Sequence, residues 1–294
     1  MGGAEMKIKQ SLPYRIFSVV NTVVLGILAI CCIIPFIHIL AVSFSDMKST
    51  TAGIVGLWPI GFNFESYTKA LGDPAIWKAM GVTLGRMVLG TVYSMVLTIS
   101  VAYPLSFEGR NFRGRKIYVA FFFVSMIFGG GIVPYYILIK DLHLMNSIWA
   151  LVLGMTPVGN VIILLNFYRQ LPREMYEAAR IDGASHFGIM TRVYLPLSLP
   201  SIATLSLMSL VGHWNEWFGG MIYMDEEGYP LQTYLYASMQ RISEFTDISD
   251  VSTAVSRQGI IAAQTVFVIL PVLFAFPLLQ KYIKTGLVLG SVKE

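Results

Sequence analysis

Charge is scarce in this sequence. Only 13% of its 294 residues are Asp, Glu, Lys or Arg, where a soluble domain carries about a quarter. There are two cysteines, Cys31 and Cys32. They are adjacent, which excludes a stapling disulfide, and they lack metal-ligand spacing. They read as small apolar packing residues. No Gly-x-x-x-x-Gly-Lys-Ser/Thr loop occurs. The nearest stretch, "GRNFRGRK" (109–116), has the wrong spacing, so the chain carries no nucleotide site of that kind. His38, His143, His186 and His213 are scattered, and no His-Glu-x-x-His pattern joins them. That argues against a metal-dependent membrane enzyme. No repeat of 20–50 residues and no low-complexity tract stands out. The formal net charge of +4 is too small to suggest nucleic acid.

What the chain has is apolar length. Hydrophobic residues make up 55% of it, and the mean hydropathy is +0.65. Runs of roughly 18 or more apolar residues read as membrane spans. Six are predicted, at about 16–43, 80–107, 116–140, 147–168, 198–223 and 259–281. The expected fold is therefore all-α: a polytopic membrane domain over 16–281, with short tails at 1–15 and 282–294. The first run is too long for a signal-peptide core and has no small-residue cleavage site behind it, so it reads as a retained span.

The basic residues are placed unevenly. Fourteen of the 21 Lys and Arg fall in or beside 1–15, 108–115, 169–197 and 282–294, and six fall on the other side. The positive-inside rule then puts both termini and the 169–197 loop in the cytoplasm. The opposite side carries two long aromatic loops, 44–79 and 224–258. The second is acidic, with Asp225, Glu226, Glu227, Glu244, Asp247 and Asp250. Two spans look interrupted. "FGGGIVP" (128–134) breaks the third, and Thr156-Pro157 breaks the fourth. In lipid, freed backbone groups are tolerated only where protein or a wet cavity covers them. Kinking for packing is the other reading.

A charged, Gly- and Pro-punctuated stretch, "EAARIDGASHFGIMTRVYLP" (177–196), lies between two greasy segments. Pro172 and Glu174 suit a helix start. Met175, Ala178, Ala179 and Ile181 suggest one small apolar face. Gly183 suits the stop. Leu195-Pro196 is expected to break the chain before the fifth span. A short helix of this kind fits the groove of another protein, though an amphipathic connector has the same pattern.

Here the sequence resembles a known family. Glu177, Ala178, Ala179, then Gly183, then Val193, Leu195 and Pro196 match the EAA loop of permease subunits in binding-protein-dependent ABC importers. That family usually has Ile where Val193 stands. "EAARIDGAS", "AYPLSFEGRNFRGRK" (102–116), "VGHWNEWF" (211–218), "YPLQTYL" (229–235) and "LLQKYIKTGLVLGSVKE" (278–294) resemble the carbohydrate, maltose-type branch. The likeness is nearest to the second of two unlike permeases in importers of oligosaccharides or complex glycans. It implies a type I permease fold in a cell-membrane heterodimer, and a transporter subunit rather than an enzyme. The EAA helix would be a coupling helix, with Glu177, Ala178, Ala179, Asp182, Gly183, Leu195 and Pro196 as its coupling residues. Implied partners are a second, non-identical permease, two copies of an ATP-binding subunit holding ATP and Mg, an extracellular solute-binding protein, a sugar, and lipid. No cofactor and no metal are implied on this chain. A lone ion-coupled transporter is the rival, but it leaves the EAA loop without a role.

Polar groups inside spans are candidates for the pathway. Ser206, Ser209, His213, Glu216 and Gly220 recur at helical spacings, which places them on one face, flanked by Trp214, Asn215 and Trp217. Sugars pair with polar groups beside aromatic faces. The alternative has His213 and Asn215 bonding between helices and the tryptophans forming an interfacial belt. Tyr229, Tyr234 and Tyr236 in the last large loop are further candidates, read either as approaching a sugar cleft or as packed in a solvated loop. Arg86 and Glu216 are the only basic and acidic residues well inside spans. Arg86 lies roughly six residues from its end, or about 9 Å, and Glu216 lies at a similar depth from the same side. Equal depth predicts an ion pair. Snorkelling of Arg86 is the alternative.

Overall fold

The longest apolar run gives the simplest element. In the computed structural model α1 spans Leu12–Ser43, and none of its most apolar stretch is buried among the described residues. A helix apolar on every side needs lipid or protein around it. Cys31 and Cys32 are free and exposed on it among the described residues. The structure describes residues 12–107, 112, 114–155, 157–243 and 258–274. Lys7, Lys9, Arg110, Arg113, Thr156, Glu244, Asp247, Asp250, Arg257 and the tail 282–294 lie outside them.

Among the described residues every regular element is a helix. The chain divides into two compact units, and the first holds Met1–Gly72 and Ile242–Val266. Within it α1 runs into α2 (Met47–Thr51) and α3 (Glu65–Gly72). Asp46 caps α2, accepting from the Ser49 amide at 2.7 Å, and that bond holds its carboxyl below the usual range. Phe44, Phe62, Phe64 and Tyr67 stack into one aromatic cluster. Gly61 has φ +62°, and a Cβ there would overlap the Asp46 carboxylate, so the turn requires glycine.

The second unit holds Asp73–Arg241 and resumes at Phe267. Its axis is α4, Pro74–Ser106. Asp73 caps it, accepting from the Ala75 amide at 2.9 Å, and Pro74 opens it. The helix thus starts six residues before the expected span, because its first turns are mixed enough to read as loop. Around it follow α5 (Arg115–Ile127), α6 (Ile132–Asp141), α7 (Ile148–Leu153), α8 (Val158–Gln170) and α9 (Arg173–Ile181). Next come α10 (His186–Ile189), a π-helical turn at Met190–Tyr194, and α11 (Leu195–Leu197). Then α12 (Leu199–Asn215), α13 (Phe218–Tyr223) and α14 (Leu231–Ser243) complete the series, and a last helix, α15 (Gln258–Phe274), belongs to the first unit up to Val266 and to the second from Phe267.

Among the described residues, α1 and α4 are the single helices long and apolar enough to cross a membrane. Two further pairs qualify as bent spans: α5 with α6, bent by 111°, and His186–Leu197 with α12, bent by 82°. The glycine run at 129–131 ends α5 as the sequence predicts, and Gly131 takes φ +84°. The fourth predicted span is likewise split into α7 and α8. The fifth is split too, which was not expected: α12 stops at Asn215, and Glu216 is extended (φ −77°, ψ 122°).

Two small cores flank these breaks. One joins Met95, Ala102, Tyr103 and Leu105 of α4 to Val161, Leu164, Leu165 and Tyr168 of α8 and to Leu205 of α12. The other joins Ile139 of α6, Ala150 and Leu151 of α7 and Tyr223 of α13. Small polar residues assist, with Asn160 donating to Ser94 at 3.4 Å between α8 and α4. Such bonds are worth about 0.6 kcal/mol each in membrane helices.

Candidate functional site

Two sites emerge along α4, one at its Ser106 end and one around Arg86 in its first half. The first is α9 and its seat. Pro172 precedes its first turn and Glu174 lies within that turn. At the other end Gly183 takes φ +78°. Its amide donates to the Arg180 carbonyl at 3.1 Å, and the Ala184 amide donates to the Ala179 carbonyl at 3.0 Å. These two bonds are the Schellman stop that the sequence anticipated.

The faces of α9 differ from the expectation. Glu177, Ala178 and Asp182 are exposed, as are Met175 and, at 86%, Ile181. Ala179 points the other way. With Tyr176 and Ala184 it packs on the core under the helix. Ala179 is therefore a seat residue and not part of the exposed face. Apolar residues stand on both sides of α9 because it is held by its own chain as well as presenting a surface.

That seat is aromatic. Tyr103 and Phe107 at the end of α4 meet Tyr176, His186 and Tyr194 at ring separations of 4.9–6.4 Å. Tyr103 hydroxyl and His186 Nδ1 are 3.5 Å apart. Single-sequence reading missed these residues, since aromatic side chains in a span look like ordinary core. A hollow of about 200 Å³ lies beside α9, bounded by Arg169, Arg173, Glu177, Tyr168, Tyr176 and Tyr194. Leu195 and Pro196 do not interrupt the chain. They continue the helix from the π-helical turn, and the bend falls at Ser198, whose hydroxyl donates to the Tyr194 carbonyl at 2.7 Å. Pro196 follows directly on the π-helical turn, where the Leu195 amide donates to the Met190 carbonyl, so its missing N–H falls where the regular ladder is already interrupted.

The second site surrounds Arg86, which is 1% exposed. Its guanidinium meets the Glu216 carboxylate at 2.5 Å, donates to the Glu216 carbonyl at 3.2 Å and approaches the Met155 sulfur at 3.5 Å. The pair inferred from matching depth thus forms, and snorkelling does not occur. The other carboxylate oxygen of Glu216 accepts from the Gly219 amide, so one side chain both caps α13 and neutralises Arg86.

Because the helix ends at Asn215, Glu216 and Gly220 leave the register of Ser209 and His213. The expected single face does not extend past the break. Ser206 is half-buried, while Ser209, His213 and Trp214 are buried within the chain. The His213 ring lies against Gly90 of α4, where a Cβ would overlap it, and its Nδ1 has no hydrogen-bond partner among the described residues. Asn215 is exposed and Glu216 half-buried. A cleft of about 280 Å³ opens over Arg86 and Glu216, walled by Ile132, Tyr135, Phe218 and Tyr223, with Gly131, Gly154 and Gly219 at its edges.

Beyond the cleft, α14 is clamped onto α4. The Leu231 amide donates to Thr83 Oγ1 at 2.7 Å, Thr233 Oγ1 to the Trp217 carbonyl at 2.7 Å, and Tyr234 hydroxyl to Asp73 at 2.6 Å. Tyr236 lies on Trp217 at a ring separation of 4.2 Å. Tyr229 and Tyr234 are half-buried. Arg241 meets Glu226 at 2.5 Å, and that bond pushes the guanidinium pKa up.

With this geometry in view, similarity decides the family. Residues 11–288 match the family described as binding-protein-dependent transport system inner membrane component. The chain belongs to that family. It is thus a membrane-embedded component of a transport system and has the type I permease fold. It is 37% identical to Protein LplC of Bacillus subtilis (strain 168), over 95% of both chains. It is 34% identical to the polygalacturonan/rhamnogalacturonan transport system permease protein YtcP of the same organism, covering 95% of this chain and 99% of that one. A solved bacterial ABC transporter involved in import of the acidic polysaccharide alginate contains a chain of like fold. The TM-score is 0.84 at 31% identity, covering 94% of this chain and 99% of that one.

Proposed function

We propose that this chain is one of two unlike permeases in an ATP-driven importer of oligosaccharides or glycans. It lines half of the pathway and couples to a separate ATP-hydrolysing subunit through α9. The observation that carries this reading is α9 itself. It is a nine-residue helix with a Schellman stop, seated on an aromatic core and presenting Glu177, Ala178, Ile181 and Asp182 outward. Exposed Ile181 and Met175 on a charged helix suit a groove on another protein. The rigid seat lets a push on α9 pass to α4, α8 and α12 through Tyr103, Tyr168 and Tyr194. A glycan as cargo follows from the likeness to YtcP and to the alginate importer. In this reading α9 and both termini face the cytoplasm, and the α14 end faces the solute-binding protein.

The test is purification of the tagged chain in mild detergent from cells expressing its whole operon. A second permease and an ATPase are expected to copurify. The reconstituted complex should take up glycans only with ATP and binding protein together. Transport by the isolated chain, driven by an ion gradient, would overturn the reading.

A further inference from the structure

We propose that the cleft over Arg86 and Glu216 is a glycan subsite on this chain, holding one pyranose ring in passage. The proposal rests on the transport reading above and assigns a place to the cargo. Three interrupted helices meet there: α6 begins at its edge beyond Gly131, α7 ends at it near Gly154, and α12 gives way to α13 across it at Glu216 and Trp217. Each interruption leaves backbone amides or carbonyls without helical partners. In a membrane-embedded segment these must be covered by protein or by a wet cavity. Discontinuous helices whose ends converge within the membrane are the recurrent construction of transport sites.

The lining has the chemistry of a sugar site. Tyr135, Phe218 and Tyr223 supply aromatic surface, and Phe218 is 44% exposed, so its ring is available. A pyranose has one C–H face that stacks on such rings and a rim of hydroxyls that needs acceptors and donors. Arg86 and the Glu216 oxygen that meets it are sealed, but the Glu216 side chain as a whole is 23% exposed, which leaves the oxygen that accepts from the Gly219 amide as the one a hydroxyl would reach. An ionised carboxylate only accepts hydrogen bonds, so it selects hydroxyl donors. The charge pair and the open helix ends disfavour a lipid tail in the same space. About 280 Å³ lies near the small end of ligand pockets, enough for one ring and too small for a chain.

The test uses the assembled importer in proteoliposomes, with Cys31→Ser and Cys32→Ser as background. Phe218→Cys is placed in the cleft and Ile163→Cys, exposed on α8, serves as control. Alkylation by a small methanethiosulfonate is timed with and without alginate or galacturonan oligosaccharides plus binding protein. Glycan should slow reaction at residue 218 by at least about fivefold and leave residue 163 unchanged. Phe218→Ala should raise the KM for uptake about threefold to tenfold, as loss of one aromatic contact predicts, with the complex still assembling. Uptake without protection at 218, or equal protection at both positions, or protection by added lipid alone, overturns the subsite while leaving the transport reading standing. Absence of uptake for every glycan removes both.

Discussion

Replacing Gly183 isolates the geometry of the α9 exit from packing. The residue has φ +78°, and a Cβ built there meets no atom within 4 Å. Any penalty is therefore conformational. The left-handed region costs an L-residue about 1–2 kcal/mol, and a β-branched residue more, while Asn tolerates it. At 1.4 kcal/mol per tenfold, Gly183→Ala should depopulate the native exit by about tenfold relative to glycine. Gly183→Val should abolish it in favour of a continued helix. That continuation would break the bonds from Gly183 to Arg180 and from Ala184 to Ala179, and would swing α10 off its seat. Uptake and ATPase stimulation by binding protein should fall in the order Gly, Asn, Ala, Val. Membrane insertion, read by fractionation, should not change. Equal uptake and ATPase assembly for Gly183→Val would refute the reasoning, because no repacking is available to hide the strain.

Gly90→Ala should destabilise the bundle by about 1–3 kcal/mol, since its Cβ overlaps the buried His213 ring; detergent thermal melting reads the drop, and Gly90→Ala with His213→Ala should recover part of it. Arg86→Glu and Glu216→Arg should each cost about 3–5 kcal/mol by leaving a buried charge unpaired, and the double exchange should restore some assembly; no recovery would show that the Glu216 cap on Gly219 outweighs the pair. Single cysteines at Glu226 and Arg180 should label oppositely with an impermeant reagent in intact cells, the first accessible and the second protected, and labelling at 180 would reverse the orientation.

The sequence showed the features that follow from one residue type with one physical meaning. Three glycines and a proline in an apolar run end a helix anywhere, so the α5–α6 break was legible. Gly183 after a short charged helix was legible for the same reason. Arg86 and Glu216 could be paired from depth, because few other partners exist inside spans. The α12–α13 break was not legible: Glu216 and Trp217 carry no breaker signal, and the carboxylate that caps α13 also pairs with Arg86, 130 residues earlier. The orientation of Ala179 was also hidden. Alanine fits either face, and the Tyr103, Phe107 and Tyr194 cluster that draws it inward comes from segments 70 or more residues before it and 15 after it in the chain. The early start of α4 depends on the Asp73 cap, which reads from sequence as loop.

The central claim is that α9 is where this chain meets the ATP-hydrolysing subunit. The most direct measurement is site-specific photo-crosslinking in membranes of cells expressing the whole transport system. A photoreactive residue is placed in turn at Ile181, Ala178 and Ala179. The exposed positions 181 and 178 should give an adduct of this chain with the ATPase, strengthened by binding protein and ATP. Position 179, turned into the aromatic seat, should give none. Adducts with lipid alone at 181 and 178, or an ATPase adduct from 179 and not from 181, would contradict the account.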